Sequence, residues 1–289
     1  MISKLKNYLK KLSYQQDNLY RIRINQGIYL SRHIINLSLE DLDNYGFGIF
    51  SQFNEDSIIQ YFISKIDFNK SFIEIGTENY EEANTRFLLE KDNWSGLIID
   101  SSKKNLDFVE KQNYFWRHDL TTHHATVGVE NINSILSKSK FTNNVGILSI
   151  DIDGNDYWVW EAIKMITPQL VIIEYNSKFG DQKSLTIKYE KDFLRSKEGI
   201  DKLIYGASLT ALNKLGNSKG YSLICTNKNG NNAFFLNNKY LNNFIKKKTV
   251  KEVYKKSYFR EYLTKDFKNS LDEDYIYNYI TSSKKVIEV

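Results

Sequence analysis

The chain has 289 residues, 41 % of them hydrophobic, which is enough to bury a substantial core, and a formal net charge of +5 from 40 Lys and Arg against 35 Asp and Glu. So mild and interleaved a positive balance leaves no nucleic-acid footprint, and a lone cysteine, Cys225, excludes an internal disulfide and any metal-knuckle spacing. The basic start MISKLKNYLKKLSYQQDNLY lacks the apolar stretch and cleavage site of a signal peptide, and no apolar run approaches the ~18 residues of a membrane span, so a cytoplasmic protein is expected.

Residues 1–45 show helical spacing, with Leu5, Tyr8, Leu9 and Leu12 on one face, and read as a helical extension: packing, a lid or a dimer arm, which keeps a homo-oligomer open. From Phe50 the pattern changes to short apolar strands separated by helices. A helix at Glu55–Ile66 precedes a strand at Ser71–Ile75, a helix spans Asn84–Glu90, and a strand follows at Gly96–Asp100. A helix at Leu106–Lys111, a weak strand at Tyr114–Arg117 and a histidine-rich loop come next. Beyond them lie a helix at Asn131–Ser139, strands at Gly146–Asp151 and Leu170–Glu174, and a helix at Tyr157–Met165 between the two. After a polar stretch at Ser177–Lys197, a helix at Ser208–Leu215 leads to strands at Tyr221–Thr226 and Ala233–Leu236, joined through an Asn-Gly turn. This alternation predicts an α/β fold: a Rossmann-like, doubly wound, mostly parallel seven-stranded sheet ending in an antiparallel hairpin, with helical N- and C-terminal extensions. The main domain is placed at 46–240 and the C-terminal extension at 241–289, where from Tyr240 onward 11 basic residues stand against 7 acidic ones.

Four predicted strands end in carboxylates, Glu74, Asp100, Asp151 and Glu174. Each alone reads as a cap on the following helix, but four on one edge of a sheet point to a polar ligand. The turn after the first strand, EIGTENYEEANT, has one glycine, Gly76, where a pyrophosphate needs several so that backbone N–H groups can approach it. S-adenosylmethionine has no phosphate and fits a looser turn, with Asp100, 26 positions after Glu74, on the ribose hydroxyls. Asp151, Asp153 and Asp156, with Glu174 and Asn176, make an oxygen-rich cluster suited to Mg²⁺ or Ca²⁺, although Asp153-Gly154-Asn155 also reads as a turn and Asp156 as a helix cap. His118, His123 and His124 fall in the loop after the third predicted strand; His123 and His124 are candidate bases toward an acceptor hydroxyl. Among Tyr157, Trp158 and Trp160, one or two pack on the sheet and another meets substrate.

Residues 51–236 resemble class I S-adenosylmethionine-dependent methyltransferases, and in particular their FkbM-like branch. The matching pieces are Gln52-Phe53-Asn54-Glu55-Asp56, Phe72-Ile73-Glu74-Ile75-Gly76, Asn84-Thr85-Arg86-Phe87-Leu88, Trp94-Ser95-Gly96-Leu97-Ile98-Ile99-Asp100 and Leu148-Ser149-Ile150-Asp151-Ile152-Asp153-Gly154. The resemblance implies Glu74 and Gly76 at the methionine part of the cofactor, Asp100 on the ribose, Asp119 near the adenine and Asn84 close to the turn. It also implies O-methylation of a sugar or another small, glycan-precursor building block of a capsule or lipopolysaccharide, with Asp151 as a catalytic residue and Asp151, Asp153 and Glu174 as metal ligands. Two positions depart from the pattern: Tyr80 stands where a second glycine is usual, and Asp153 where a glutamate is common. Tyr80 keeps a catalytically inactive cofactor-binding scaffold in view, while a nicotinamide-dependent sugar-modifying enzyme is disfavoured by the missing glycines and the terminal hairpin.

Overall fold

Strands that are apolar on both faces are stable only with cover on each side. In the computed structural model, which describes residues 2–142, 145–196, 200–257 and 273–289, helices provide that cover. The elements run α1 (Ile2–Ile34), α2 (Leu42–Tyr45), α3 (Glu55–Lys65), β1 (Ser71–Ile75), α4 (Arg86–Asp92), β2 (Ser95–Asp100), α5 (Lys103–Val109), α6 (Asn113–Arg117), β3 (Leu120–His124), α7 (Ile132–Lys138), β4 (Ile147–Ile150), α8 (Asp156–Ala162) and β5 (Leu170–Glu174). They continue with β6 (Leu185–Ile187), α9 (Leu209–Ser218), β7 (Tyr221–Thr226), β8 (Asn232–Asn237), α10 (Val250–Val253), α11 (Glu273–Thr281) and β9 (Val286–Glu288).

Seven strands form one sheet in the order β3-β2-β1-β4-β5-β8-β7; β1 to β5 are parallel, and β8 is antiparallel to both β5 and β7. This is the doubly wound sheet with a closing hairpin that the sequence predicts. Successive side chains point to opposite faces. Phe72, Ile98, Ile147 and Ile172 therefore join Phe62 and Phe87 in one apolar layer, while Ile73, Ile99, Leu148 and Ile173 join Trp160 and Phe235 in the other. Strand order reverses beside β1, between β2 on one side and β4 on the other, which is where such sheets open a crevice at their carboxyl ends.

One element of the main sheet differs from expectation. Tyr114–Arg117 is helical and belongs to α6, whose one buried residue is Tyr114; the parallel strand follows at Leu120–His124. β3 is a sheet edge with a single buried side chain, Leu120, so it carries no apolar alternation by which it could be recognised.

The second half of α1 runs antiparallel along α3. Tyr20 packs on Phe50 just before α3 begins, with ring centroids 6.2 Å apart, and Lys65 Nζ donates to the Ile35 carbonyl where α3 ends, at 2.8 Å. Gly27 is pressed against Phe87, where a Cβ would lie 2.6 Å from a ring carbon. Of the predicted apolar face at the start of α1, Tyr8 and Leu12 are exposed; the side chains of Leu5 and Leu9 lie outside the described residues. The C-terminal segment is not helical throughout, because β9 pairs antiparallel with β6. Part of its predicted basic stretch, 258–272, lies outside the described residues, as does Lys197.

The Gln52–Asp56 segment ties the start of α3 to the hairpin. Asp56 accepts the backbone N–H groups of Ile49, Phe50 and Ser51 at 2.6, 2.7 and 2.9 Å. Glu55, fully buried, accepts the side-chain amides of Asn227 and Asn232 at 2.6 and 3.0 Å. Truncating Glu55 leaves two buried amides without their acceptor, so Glu55→Ala is expected to lower stability by about 2–4 kcal/mol in urea denaturation; a loss below about 0.5 kcal/mol would show that the link does not matter.

Candidate active site

Parallel register explains why the carboxylates meet. Ile75 is level with Ile99 and with Ile150, and Ile150 with Ile173. One residue further on, Asp100, Gly76, Asp151 and Glu174 therefore stand side by side, and Asn232 continues the row beside Glu174. They line a cleft of about 650 Å³ at the carboxyl edge, together with Asn84 and Gln52.

The turn after β1 is held in place by three constraints. Gly76 has φ +81° and its N–H donates to the Ile99 carbonyl at 2.9 Å; a Cβ there would lie 1.6 Å from the Asp151 carbonyl oxygen, so no other residue fits between β2 and β4. Asp100 Oδ2 accepts the N–H groups of Thr77 and Glu78 at 3.1 and 2.8 Å, and Oδ1 that of Ser102 at 2.7 Å. Ser102 caps α5 in turn, its hydroxyl accepting from Asn105 N–H. Glu74 is buried and accepts from Asn84 N–H at 2.8 Å, from Thr85 N–H at 3.1 Å and from the Thr85 hydroxyl. Burial nevertheless wins over these bonds and pushes its carboxyl up to about 7.

Tyr80 keeps a left-handed backbone, φ +59°, although it is not glycine. Its ring is buried, 6.1 Å from that of Tyr114, and its hydroxyl lies 2.8 Å from Thr85 Oγ1, the same hydroxyl that serves Glu74. Arg86 Nη1 donates to the Tyr80 carbonyl at 3.0 Å, with its guanidinium between the rings of Phe50 and Tyr114 at 4.2 and 4.3 Å. Packing here imposes the conformation that a glycine would adopt freely.

The other half of the cleft is acidic. Asp151 and Glu174 are both pushed well above the usual carboxylate range, first by burial; Asp156, Asp153 and Glu74 then raise Asp151, and Asp151, Asp156 and Asp153 raise Glu174, while Arg195 opposes both. Glu174 Oε2 has no hydrogen-bond partner among the described residues. Asp156 closes the loop beneath, accepting from Ile152 and Gly154 N–H at 2.8 and 2.9 Å, with its carboxyl raised to about 6 by burial. Asp153, at φ +56°, turns outward to meet Arg195 at 2.5 Å, and Arg195 also lies 3.6 Å above the Tyr205 ring and donates to the Lys202 carbonyl. Asn176 fixes this rim from below, donating to the carbonyls of Leu203 and Tyr205 at 2.8 and 3.0 Å.

The structure brings together Glu74, Gly76, Asn84, Asp100, Asp151, Asp153 and Glu174, but not the remaining candidates. Asp119 precedes β3 at the opposite edge of the sheet, where its carbonyl pairs with Gly96 at the start of β2 and its carboxylate with Lys140. The misplaced third strand is the cause: the residues that follow the true β3 into the cleft are Ala125, Thr126 and Val127. His123 and His124 lie on β3 rather than in a loop, and neither lines the cleft; His124 Nε2 is 3.0 Å from the Ser101 carbonyl. His118 ends α6 beside Asn93. Trp160 and Tyr157 are buried, and Trp158 donates to the Ile187 carbonyl at 2.8 Å, so none of the three aromatics faces the cleft. Among the described residues no group of three or more His, Cys, Asp or Glu is arranged to hold a metal ion, and Asp153 is engaged with Arg195 instead.

Sequence reasoning assigned no role to Gln52, Asn231 or Arg195, all of which line the cleft. The amide pair was legible in part, since Gln52 opens the Gln52–Asp56 motif and Asn231 sits in the Asn-rich turn; Asn231 donates to Gln52 Oε1 at 3.2 Å. Arg195 gave no signal, standing in a stretch without periodicity.

No protein-family model matches the chain, and no curated protein sequence does. Solved structures similar to it include a protein assigned as a caffeoyl-CoA O-methyltransferase from Staphylococcus aureus, at 15 % identity and a TM-score of 0.45 over 75 % of this chain and 99 % of that one. An O-methyltransferase from Bacillus cereus in complex with S-adenosylhomocysteine matches at 11 % identity and a TM-score of 0.42, over 74 % and 90 %. An S-adenosylmethionine-dependent methyltransferase from Clostridium acetobutylicum matches at 11 % and 0.39, over 63 % and 89 %. Likenesses this distant do not carry an activity to this chain.

The raised carboxyls set a pH dependence. A carboxyl whose folded pKa lies above its ordinary value stabilises the fold below that ordinary value, and the stability is lost as pH rises through the folded pKa. Glu74 at about 7, and Asp56 and Asp156 at about 6, all act in this sense. The melting temperature is expected to fall between pH 5 and 8, with a shallower fall in Glu74→Gln; a melting temperature rising over that window would contradict the reading.

Proposed function

We propose that the protein is an S-adenosylmethionine-dependent methyltransferase, and within that class an O-methyltransferase acting on a sugar or another small building block of a bacterial surface polysaccharide. The observation that carries the cofactor is the occupation of the turn after β1. A pyrophosphate would need the Thr77 and Glu78 N–H groups, and both are already held by the Asp100 carboxylate, whose charge repels phosphate. A phosphate-free nucleoside suits the same place: Asp100 still has lone pairs for ribose hydroxyls, Gly76 and Asn84 border the end where a methionine part would lie, and Ala125–Val127 supply a wall for an adenine ring. Tyr80 supports an active enzyme more than an inert scaffold, since it keeps the left-handed turn.

Bound there, S-adenosylmethionine would supply an electrophilic methyl group. The residues facing it are Asp151 and Glu174. With burial and mutual repulsion favouring a shared proton, the carboxylate member of the pair accepts the proton of an acceptor hydroxyl while the other donates a hydrogen bond to a neighbouring oxygen. Positioning supplies the remainder of the acceleration. The polar lining of the cleft, with Asn176, Lys191 and Arg195 at its rim, suits a hydroxyl-rich acceptor.

In a thermal-shift assay S-adenosylmethionine and S-adenosylhomocysteine are expected to stabilise the protein and NAD(H) not to, and Asp100→Ala to lose the S-adenosylhomocysteine shift with its circular dichroism unchanged; stabilisation by NAD(H) alone would overturn the proposal. Glu174→Gln is expected to lower kcat by roughly 10²–10⁴-fold with S-adenosylhomocysteine affinity retained. Wild-type kcat should rise with pH through the elevated carboxyl range, and full activity in the variant would remove the carboxyl pair from the mechanism.

A further inference from the structure

The acidic half of the cleft is short of donors. On residues that line it, three buried oxygens have no hydrogen-bond partner among the described residues: Glu174 Oε2, Asn232 Oδ1 and Asn155 Oδ1, whose residues are 8, 4 and 6 % exposed. The two amides are fixed this way round. Asn232 Nδ2 is committed to Glu55 at 3.0 Å and Asn155 Nδ2 to the Glu190 carbonyl at 2.8 Å, so in each the oxygen is the atom left over. Of the other unpartnered buried atoms among the described residues, only Thr77 Oγ1 is on a cleft residue, and it belongs to the turn after β1. Two of the three oxygens lie in the row of strand ends. Glu174 is paired with Asn232 across β5 and β8 and stands beside Asp151 across β4 and β5, so these side chains leave the sheet on one face. Neighbouring strands are ~4.8 Å apart, which puts a small group lodged between two such side chains within hydrogen-bond reach of both.

Charge points the same way. Asp153 and Asp156 add to the negative field at both Asp151 and Glu174, and Arg195, which opposes it, is drawn outward to Asp153. Lys178 and Lys191 also line the cleft, but Lys178 Nζ reaches the Ser257 carbonyl at 3.5 Å and Lys191 acts on Glu130. We propose that the acceptor carries an amine, bound as its ammonium against Glu174 with Asp151 and Asn232 on either side. Within the acceptor class proposed above, this is an amino sugar whose nitrogen is not acylated. A hydroxyl brings one hydrogen and lone pairs that themselves need donors, whereas an ammonium brings three hydrogens, no lone pair and the missing positive charge. A metal ion would instead need several carboxylates converging on one point, and among the described residues no three are so arranged. A protonated nitrogen also has no lone pair to receive a methyl group, so the ammonium is the handle by which the ring is held and a hydroxyl remains the site of transfer. The inference rests on the methyltransferase reading for what happens to the acceptor, and on the row of oxygens alone for how it is held.

Isothermal titration calorimetry on the full chain, with and without S-adenosylhomocysteine, tests this with D-glucosamine, D-galactosamine and D-mannosamine as probes, against the parent hexoses and the N-acetylhexosamines. The best of the amines is expected to bind roughly tenfold or more tightly than both its parent hexose and its N-acetyl form, the strength of charge-assisted hydrogen bonds to a buried carboxyl. Glu174→Gln should erase most of that preference with circular dichroism unchanged, and the wild-type comparison decides the matter should the variant misfold. Equal affinity for amine and hexose, tighter binding of the N-acetyl forms, no binding by any of these sugars, or an undiminished preference in folded Glu174→Gln would each overturn the inference. So would displacement of the amine by Mg²⁺ or Ca²⁺, which would assign the row to a metal. Binding of S-adenosylhomocysteine is read in the same titrations: its absence would remove the methyltransferase reading, and its presence beside any of those failures would remove the amine alone.

Discussion

The architecture of the cleft depends on one carboxylate gripping backbone. Asp100, at the end of β2, takes two N–H groups of the turn that leaves β1 and a third from the start of α5. Backbone donors at such a turn and at a helix start would otherwise form an anion site. By filling them from within, the chain takes away the donors that a phosphate would use. Gly76 completes the arrangement sterically, because the Asp151 carbonyl leaves no room for a side chain. The turn after β1 and the acidic half of the cleft thus meet directly at Gly76 and Asp151.

On the other side of Gly76 the energetic logic inverts. Glu74 and Asp100 each accept from three protein donors, whereas Glu174 retains an unpartnered oxygen among the described residues and is crowded by Asp151, Asp156 and Asp153. Buried acidic groups without partners cost stability, and they persist where a ligand is to supply the missing donors. Arg195 moderates this crowding, yet Asp153, the Lys202 carbonyl and the Tyr205 ring hold it at the rim. The acidic pocket is therefore kept open at its centre.

Much of the fold was legible in residue order because each central strand is apolar on both faces and each crossover helix is short. β3 was not, since a polar edge strand has no pattern distinguishing it from a loop, while Tyr114–Arg117 carries enough aromatics to imitate one. That single slip displaced Asp119 from the cleft to the far edge and moved the histidines onto a strand. Residues that depend on strand ends, Glu74, Gly76, Asp100, Asp151 and Glu174, were found because parallel register aligns them automatically. Arg195 at the rim, which depends on long-range folding, was not, because nothing local announces it; the Gln52–Asn231 contact was legible only as two separate motifs.

The left-handed turn at Tyr80 has a consequence for how this chain can diverge. Where glycine occupies such a position, its neighbours are free to drift, because the conformation needs no support. Here the conformation is maintained by a ring lodged against Tyr114, a hydroxyl shared with Thr85 and a carbonyl taken by Arg86. Replacement of Tyr80 by glycine would relax the backbone but leave a cavity the size of a tyrosine side chain and a Thr85 hydroxyl short of one partner. Positions 80, 85, 86 and 114 are thereby bound into a single heritable unit, in which a change at one is tolerated only alongside changes at the others.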